Sequence, residues 1–165
     1  MIAVDIISDG IFAAVAAMGF GAISDPPLRA FKFIALLAAV GHAARYCLMT
    51  FLGVDIASAS LVAALIIGTG SVWCGKRVSC PMTVLYIPAL LPMVPGTYAY
   101  KTVFSLIMFL QNISSPTQGA EYLQSMLFNG SVAGSVLFML AVGATIPVFL
   151  LRSKAYSMTR NSKYL

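Results

Sequence analysis

Charged residues are scarce in this chain of 165 residues. Only 9% are Asp, Glu, Lys or Arg, and five of these are acidic, while 60% of the residues are hydrophobic. Soluble domains carry about a quarter charged residues, so the composition excludes a soluble fold. Strands of membrane barrels alternate polar and apolar positions, whereas the apolar runs here do not alternate. The composition therefore predicts an all-α polytopic membrane protein.

Several kinds of chemical site are also missing from the sequence. It lacks a Walker A motif, which excludes ATP hydrolysis by that route. One histidine and three scattered cysteines predict no metal site, and we expect no cofactor. Without a Ser/His/Asp arrangement, an enzyme is not expected. The net charge of +5 is attributed to membrane topology rather than to nucleic-acid binding.

Five apolar segments are long enough to cross a bilayer, which takes about 20 residues. They lie at about 2–24, 33–52, 56–75, 81–111 and 123–151. Gly53 is predicted to end the second helix, and Asp55 to cap the third. Residues 1–151 are thus predicted to form one transmembrane domain, followed by a basic tail at 152–165.

The basic residues in the connections alternate with the spans. The first and third connections carry two each, the second and fourth carry none, and the tail carries four. Lys and Arg concentrate in cytoplasmic loops. This pattern predicts that the N-terminus lies outside and that the C-terminal tail is cytoplasmic.

The fourth span contains the prolines Pro88, Pro92 and Pro95, followed by Gly96. Each proline lacks an N–H and clashes with the carbonyl four residues back, so the helix should break. Backbone groups freed inside a bilayer must be received by protein or by a water-filled cavity. Transporters often build their substrate sites from broken helices, and we therefore predict that this segment lines a solute pathway.

The second span carries His42 and Arg45, which are three residues apart and share a helix face. Arg offers a planar donor fork that suits a carboxylate, and His changes charge near neutral pH. One interpretation is a site that handles an anion or a proton. The alternative is a structural pair, in which Asp9 or loose backbone carbonyls hold Arg45.

Three further polar residues lie beyond the proline break, where Lys101 shares a helix face with Thr97 and Tyr98. They are candidates for the solute pathway, although Lys101 can instead snorkel to the outer headgroups. In the first span, Asp9 can pair with Arg45 or Lys101. Asp9 and His42 are the candidates for proton coupling. Small residues at Ala64/Gly68 and Gly130/Gly134 predict close helix packing.

Two segments resemble signatures of the threonine/serine exporter family: GHAARYCLMT at 41–50 and LPMVPGTYAY at 91–100. Size, span number and the basic tail are similar to its small subunit, the YjjB-like proteins. The resemblance implies export of threonine and serine, or of C4-dicarboxylates such as succinate, across the bacterial inner membrane. It also implies a partner, a larger subunit with a cytoplasmic N-terminal domain and its own membrane helices.

These observations together favour a subunit of a secondary transporter for small carboxylate-bearing solutes. An ion gradient, most simply of protons, would drive it in the absence of an ATP motif. Two other classes remain open. One is a structural or assembly subunit that does not itself transport, and the other is a homo-oligomeric channel.

Overall fold

The computed structural model describes residues 2–151, and these residues are helical apart from short connections. The basic tail predicted at 152–165 lies outside the described residues. In chain order, the elements are α1 Ile2–Ala22, α2 Leu28–Leu52, α3 Ile56–Val78, α4 Met82–Leu90, a 3-10 turn Leu91–Met93, α5 Gly96–Gln111 and α6 Pro116–Leu150.

The helices have the length and surface of membrane spans. Four of them, α1, α2, α3 and α6, are long and apolar enough to cross a bilayer, and α4 with α5 adds a fifth if the pair forms one span. Large apolar side chains cover the outer surface, among them Phe12 at 74% and Phe149 at 76% exposure. Lipid accepts such a surface, whereas water does not. The chain is therefore a multi-pass membrane protein.

Local signals end α2 and begin α3 at the predicted residues. Gly53 has a φ of 63°, which is accessible to glycine, and its N–H donates to the Leu48 carbonyl. The Asp55 carboxylate accepts a hydrogen bond from the Ser58 N–H at 2.9 Å. This bond holds the pKa of the Asp55 carboxyl below its usual value. The predicted stop at Gly53 and the cap at Asp55 are confirmed.

Two helices begin earlier than the apolar segments from which they were predicted. α2 begins at Leu28 rather than near residue 33, and α6 begins at Pro116 rather than near residue 123. Pro27 directly precedes α2, and proline is also the first residue of α6. The fixed φ of proline suits a helix start, so each helix begins at its proline or directly after it. Each helix therefore includes polar residues that precede its apolar run.

The described residues form two compact units, residues 2–93 with 139–151 and residues 94–138. The boundaries between these units lie between residues 93 and 94 and, within α6, between residues 138 and 139. In the first unit, α1 packs against α2 and α4, and α3 packs against α2 and α4. The side chains of Ile34, Ile67, Leu85 and Met93 form its fully buried centre.

Glycines bring α3 and the last part of α6 into backbone contact within the first unit. A Cβ added at Gly68 would lie 2.9 Å from the Ala144 carbonyl oxygen, and one at Gly143 would lie 2.7 Å from the Leu61 carbonyl oxygen. These distances are shorter than ordinary contacts, so only glycine fits. The close packing predicted from Ala64 and Gly68 is confirmed.

The second unit pairs α5 with the first part of α6. Ser105 donates to Ser125 across the two helices at 3.0 Å. A Cβ at Gly130 would lie 3.3 Å from the Thr102 methyl group, whereas one at Gly134 would meet nothing within 4 Å. Of the two glycines predicted to pack, Gly130 therefore lies at a helix contact and Gly134 lies in open space.

Candidate functional site

The candidate site lies in the first unit, where α1, α2 and the 3-10 turn Leu91–Met93 meet. Gly41 makes this meeting possible, because a Cβ there would lie 2.9 Å from Met93 Cε and 2.5 Å from Ile67 Cδ1. The buried Met93 side chain therefore occupies space that a larger residue at position 41 would fill. This contact brings the 3-10 turn against the face of α2 that carries His42 and Arg45.

Arg45 binds the backbone of the 3-10 turn. Its Nη1 donates to the Met93 carbonyl at 3.0 Å. In an uninterrupted helix that carbonyl would accept from the N–H of residue 97, but α4 and the 3-10 turn end before α5 begins at Gly96. The interruption thus leaves the Met93 carbonyl without a partner in its own helix, and the Arg45 guanidinium donates a hydrogen bond to it. The interpretation in which loose carbonyls hold Arg45 is confirmed for this bond.

His42 pairs with Asp9 of α1. The His42 Nδ1 lies 3.1 Å from Asp9 Oδ2, and the side chains are 8% and 41% exposed, respectively. Within residues 2–151, the Asp9 carboxylate makes this contact and no ion pair with Arg45. Of the two partners considered for Asp9, Arg45 and Lys101, the structure shows no ion pair with Arg45 in the part of the chain that it describes and instead pairs Asp9 with His42. The second ring nitrogen, Nε2, is buried and has no hydrogen-bond partner among the described residues.

We call Asp9, His42, Arg45 and the Met93 carbonyl the polar cluster. It holds one acid, one permanent cation and one group that can gain a proton, all beside an interrupted helix. Charges in the apolar part of a membrane protein are expensive and are usually paired or line a solute pathway. The Met93 bond uses one of the five donors of Arg45, and a guanidinium can hold a carboxylate with two.

The other predicted pathway residues are divided between the two units. Pro92 belongs to the first unit and is half-buried in the 3-10 turn, next to Met93. The remaining five belong to the second unit. Of these, Pro95 is buried and Tyr98 half-buried, while the exposed ones are Gly96, Thr97 and Lys101. The structure thus brings Asp9, His42 and Arg45 together beside Pro92.

Sequence reasoning missed two features of the polar interior. It expected freed carbonyls four residues before each proline and did not single out Met93. It also missed the buried network of the second unit, where Asn129 donates to the Ser125 carbonyl at 2.7 Å and Ser125 accepts from Ser105. The four-residue spacing of Ser125 and Asn129 places both side chains on one helix face, and this is the sequence signal that could have identified the network. Among the described residues, no group of three or more His, Cys, Asp or Glu gathers as a metal site would require.

Comparison with known proteins assigns this chain to a family. A family model described as "Threonine/Serine exporter, ThrE" matches residues 9–150. The match begins at Asp9 and contains the whole polar cluster together with both segments that resemble the family signatures. No solved structure matches the chain.

Proposed function

Because the chain belongs to the threonine/serine exporter family, we propose that it is the small subunit of a proton-coupled secondary transporter. Its solutes are small and carry a carboxylate, either threonine and serine or C4-dicarboxylates such as succinate. Its membrane is the bacterial inner membrane. Its partner is the larger subunit with a cytoplasmic N-terminal domain and its own membrane helices.

The bond from Arg45 to the Met93 carbonyl at 3.0 Å is the observation that carries this proposal. It places the permanently charged Arg45 beside an interrupted helix, where its hydrogen-bond partner is a neutral carbonyl. A carboxylate is a stronger acceptor for a guanidinium than a carbonyl is, because both partners are then charged. A solute carboxylate can therefore replace the carbonyl at Arg45 without leaving the charge unpaired.

The pair of His42 and Asp9 supports proton coupling. Without a solute, the negative charge of Asp9 and the positive charge of Arg45 balance when His42 is neutral. The carboxylate group of a bound solute adds one negative charge next to Arg45, whatever charge the rest of the solute carries, and a proton on His42 cancels this local charge. Since unbalanced charge is costly in an apolar interior, solute and proton are expected to enter together.

The proposed topology has the first and third connections in the cytoplasm and the second and fourth outside. Single cysteines at Ser24, Ser79 and Ser114 in a cysteine-free background test it with a thiol reagent that does not cross membranes. On intact cells we expect labelling at Ser114 and protection at Ser24 and Ser79, because basic connections stay inside. A permeant reagent should label all three. Labelling of Ser24 from outside would contradict the topology.

The prolines at the interruption are expected to be needed for transport. Alanine restores the N–H and removes the steric clash, which favours a continuous helix by about 3 kcal/mol per site. We therefore expect Pro92→Ala and Pro95→Ala to lower export several-fold. Pro88→Ala is the matched control, since α4 continues through Pro88. Wild-type export by both variants at normal protein levels would mean that the prolines are only structural.

The main alternative is a structural or assembly subunit, and the Arg45 bond also favours it, because holding a carbonyl can be the whole role of Arg45. Reconstitution separates the two. The chain, its larger partner and both together are placed in vesicles and assayed with serine, threonine and succinate under a proton gradient. Our proposal expects transport only with both subunits. Full transport by the partner alone would favour the structural role.

A further inference from the structure

The His42 ring presents its two nitrogens to different surroundings. Nδ1 lies 3.1 Å from the Asp9 carboxylate. Nε2 is fully enclosed and makes no hydrogen bond with any described residue. Buried polar atoms nearly always have partners, so an enclosed ring nitrogen without one requires a functional explanation.

The hydrogen-bond acceptor that faces Nδ1 determines which of the two ring nitrogens carries the proton of the neutral ring. An ionised carboxylate accepts hydrogen bonds and donates none. Asp9 is 41% exposed along its side chain, and its Oδ2 faces the ring. A neutral His42 next to that carboxylate must carry its proton on Nδ1, which leaves a lone pair on Nε2.

The charged groups that act on the ring are few. They are the Asp9 carboxylate from α1, whose Oδ2 lies 3.1 Å from Nδ1, and the Arg45 guanidinium from α2 itself. From α3, Ile67 brings an apolar side chain to the neighbouring Gly41. The ring thus has one acid and one permanent cation as its charged neighbours.

We infer that Asp9 is a positioning residue for His42: it holds the ring proton on Nδ1, so that Nε2 is the atom that takes up the coupling proton. This inference rests on the proposed proton coupling and assigns different roles to the two candidates. His42 carries the proton, and Asp9 stays a carboxylate throughout.

The proton balance is simple. Nε2 is enclosed in this state, so it takes one proton from water when the site opens during transport, Nδ1 keeps its own, and the ring becomes an imidazolium with donors on both nitrogens. The Nδ1 donor continues to face Asp9. The added positive charge lies near that of Arg45, so a solute carboxylate at Arg45 favours this step, and the proton in turn favours the carboxylate.

The experiment uses the fact that His42 is the only histidine of the chain. Nitrogen-15 labelling of histidine in the full chain, in nanodiscs, gives two ring signals. Their couplings to the ring protons assign each signal to Nδ1 or Nε2, and their shifts then report which of the two carries the proton. For the neutral ring we expect Nδ1–H as the main form. Asp9→Leu, which has a similar shape and no acceptor, should reverse this to Nε2–H, the form that histidine prefers in water, and Asp9→Glu should keep Nδ1–H.

Asp5→Leu is the matched control, because Asp5 is an exposed acid one turn away on α1. We expect it to leave the ring signals unchanged. A main Nε2–H form in the wild type would overturn the inference even if every Asp9 variant failed to fold. An unchanged tautomer in a folded Asp9→Leu chain would also overturn it.

The spectrum needs neither solute nor partner, so it is independent of the proposed function. Proton-driven export in reconstituted vesicles is measured separately. If the tautomer follows Asp9 and export ignores the proton gradient, the proposed coupling fails and with it the proton-carrying role of Nε2. If export follows the gradient and the tautomer ignores Asp9, the transporter proposal stands and the positioning role is refuted.

Discussion

Arg45→Gln is expected to lower export about ten- to a hundredfold while leaving a folded, assembled protein. Glutamine keeps an N–H donor on this face of α2, although its side chain is two atoms shorter than that of Arg45, which binds the Met93 carbonyl at 3.0 Å. It removes the positive charge that a solute carboxylate needs. Charge-assisted hydrogen bonds contribute about 1.5–3 kcal/mol, which corresponds to a loss of about ten- to a hundredfold in solute binding. Export from loaded vesicles measures the loss directly.

Two other substitutions at this position separate charge from structure. Arg45→Lys keeps the charge and loses the planar fork, so partial export is expected. Arg45→Ala removes both and leaves the Met93 carbonyl unpaired, which destabilises the fold by about 1–3 kcal/mol. We therefore expect export to fall in the order Arg, Lys, Gln and Ala, whereas protein level falls only for Ala.

Arg77→Gln is the matched control for the charge change. Arg77 is exposed in the last turn of α3, away from the polar cluster. It should export like the wild type. If Arg45→Gln also exports like the wild type, Arg45 only holds the interrupted helix in place. That result would favour the structural subunit over the transporter.

Local sequence signals were enough to predict where α2 ends and where α3 begins, and which residues form one face of the candidate site. Gly53 and Asp55 each act on residues within five positions along the chain, so their effects can be predicted from the sequence. The spacing of three between His42 and Arg45 likewise fixes a shared face on any helix. Membrane class and approximate span positions follow from composition and segment length in the same way.

The partners within the polar cluster could not be predicted from such signals. His42 and Asp9 are 33 residues apart, and Arg45 and Met93 are 48 apart. Which residues meet depends on how far one helix slides along another. For α1 and α2, Gly10 lies against Ala39, since a Cβ at Gly10 would lie at an ordinary contact distance of 3.5 Å from the Ala39 carbonyl oxygen. That register puts Asp9 beside His42, one turn short of Arg45.

Gly143→Ala is expected to destabilise the protein although it adds a single methyl group. The new Cβ would lie 2.7 Å from both the Leu61 carbonyl oxygen and the Ala64 Cβ. Neither atom belongs to a flexible side chain that can turn away, so α3 and α6 would have to separate. Overpacking of this kind costs about 1–3 kcal/mol. In membranes, small residues are what permit such helix contacts.

Gly134→Ala makes the same chemical change on the same helix and is the control. Its Cβ would meet nothing within 4 Å, and alanine is the better helix former by up to about 1 kcal/mol. We expect Gly134→Ala to unfold at or above the wild-type midpoint and Gly143→Ala to unfold below it. The fraction of monodisperse protein left after heating gives both midpoints. Equal midpoints would show that α3 and α6 do not pack through Gly143, because only that contact distinguishes the two substitutions.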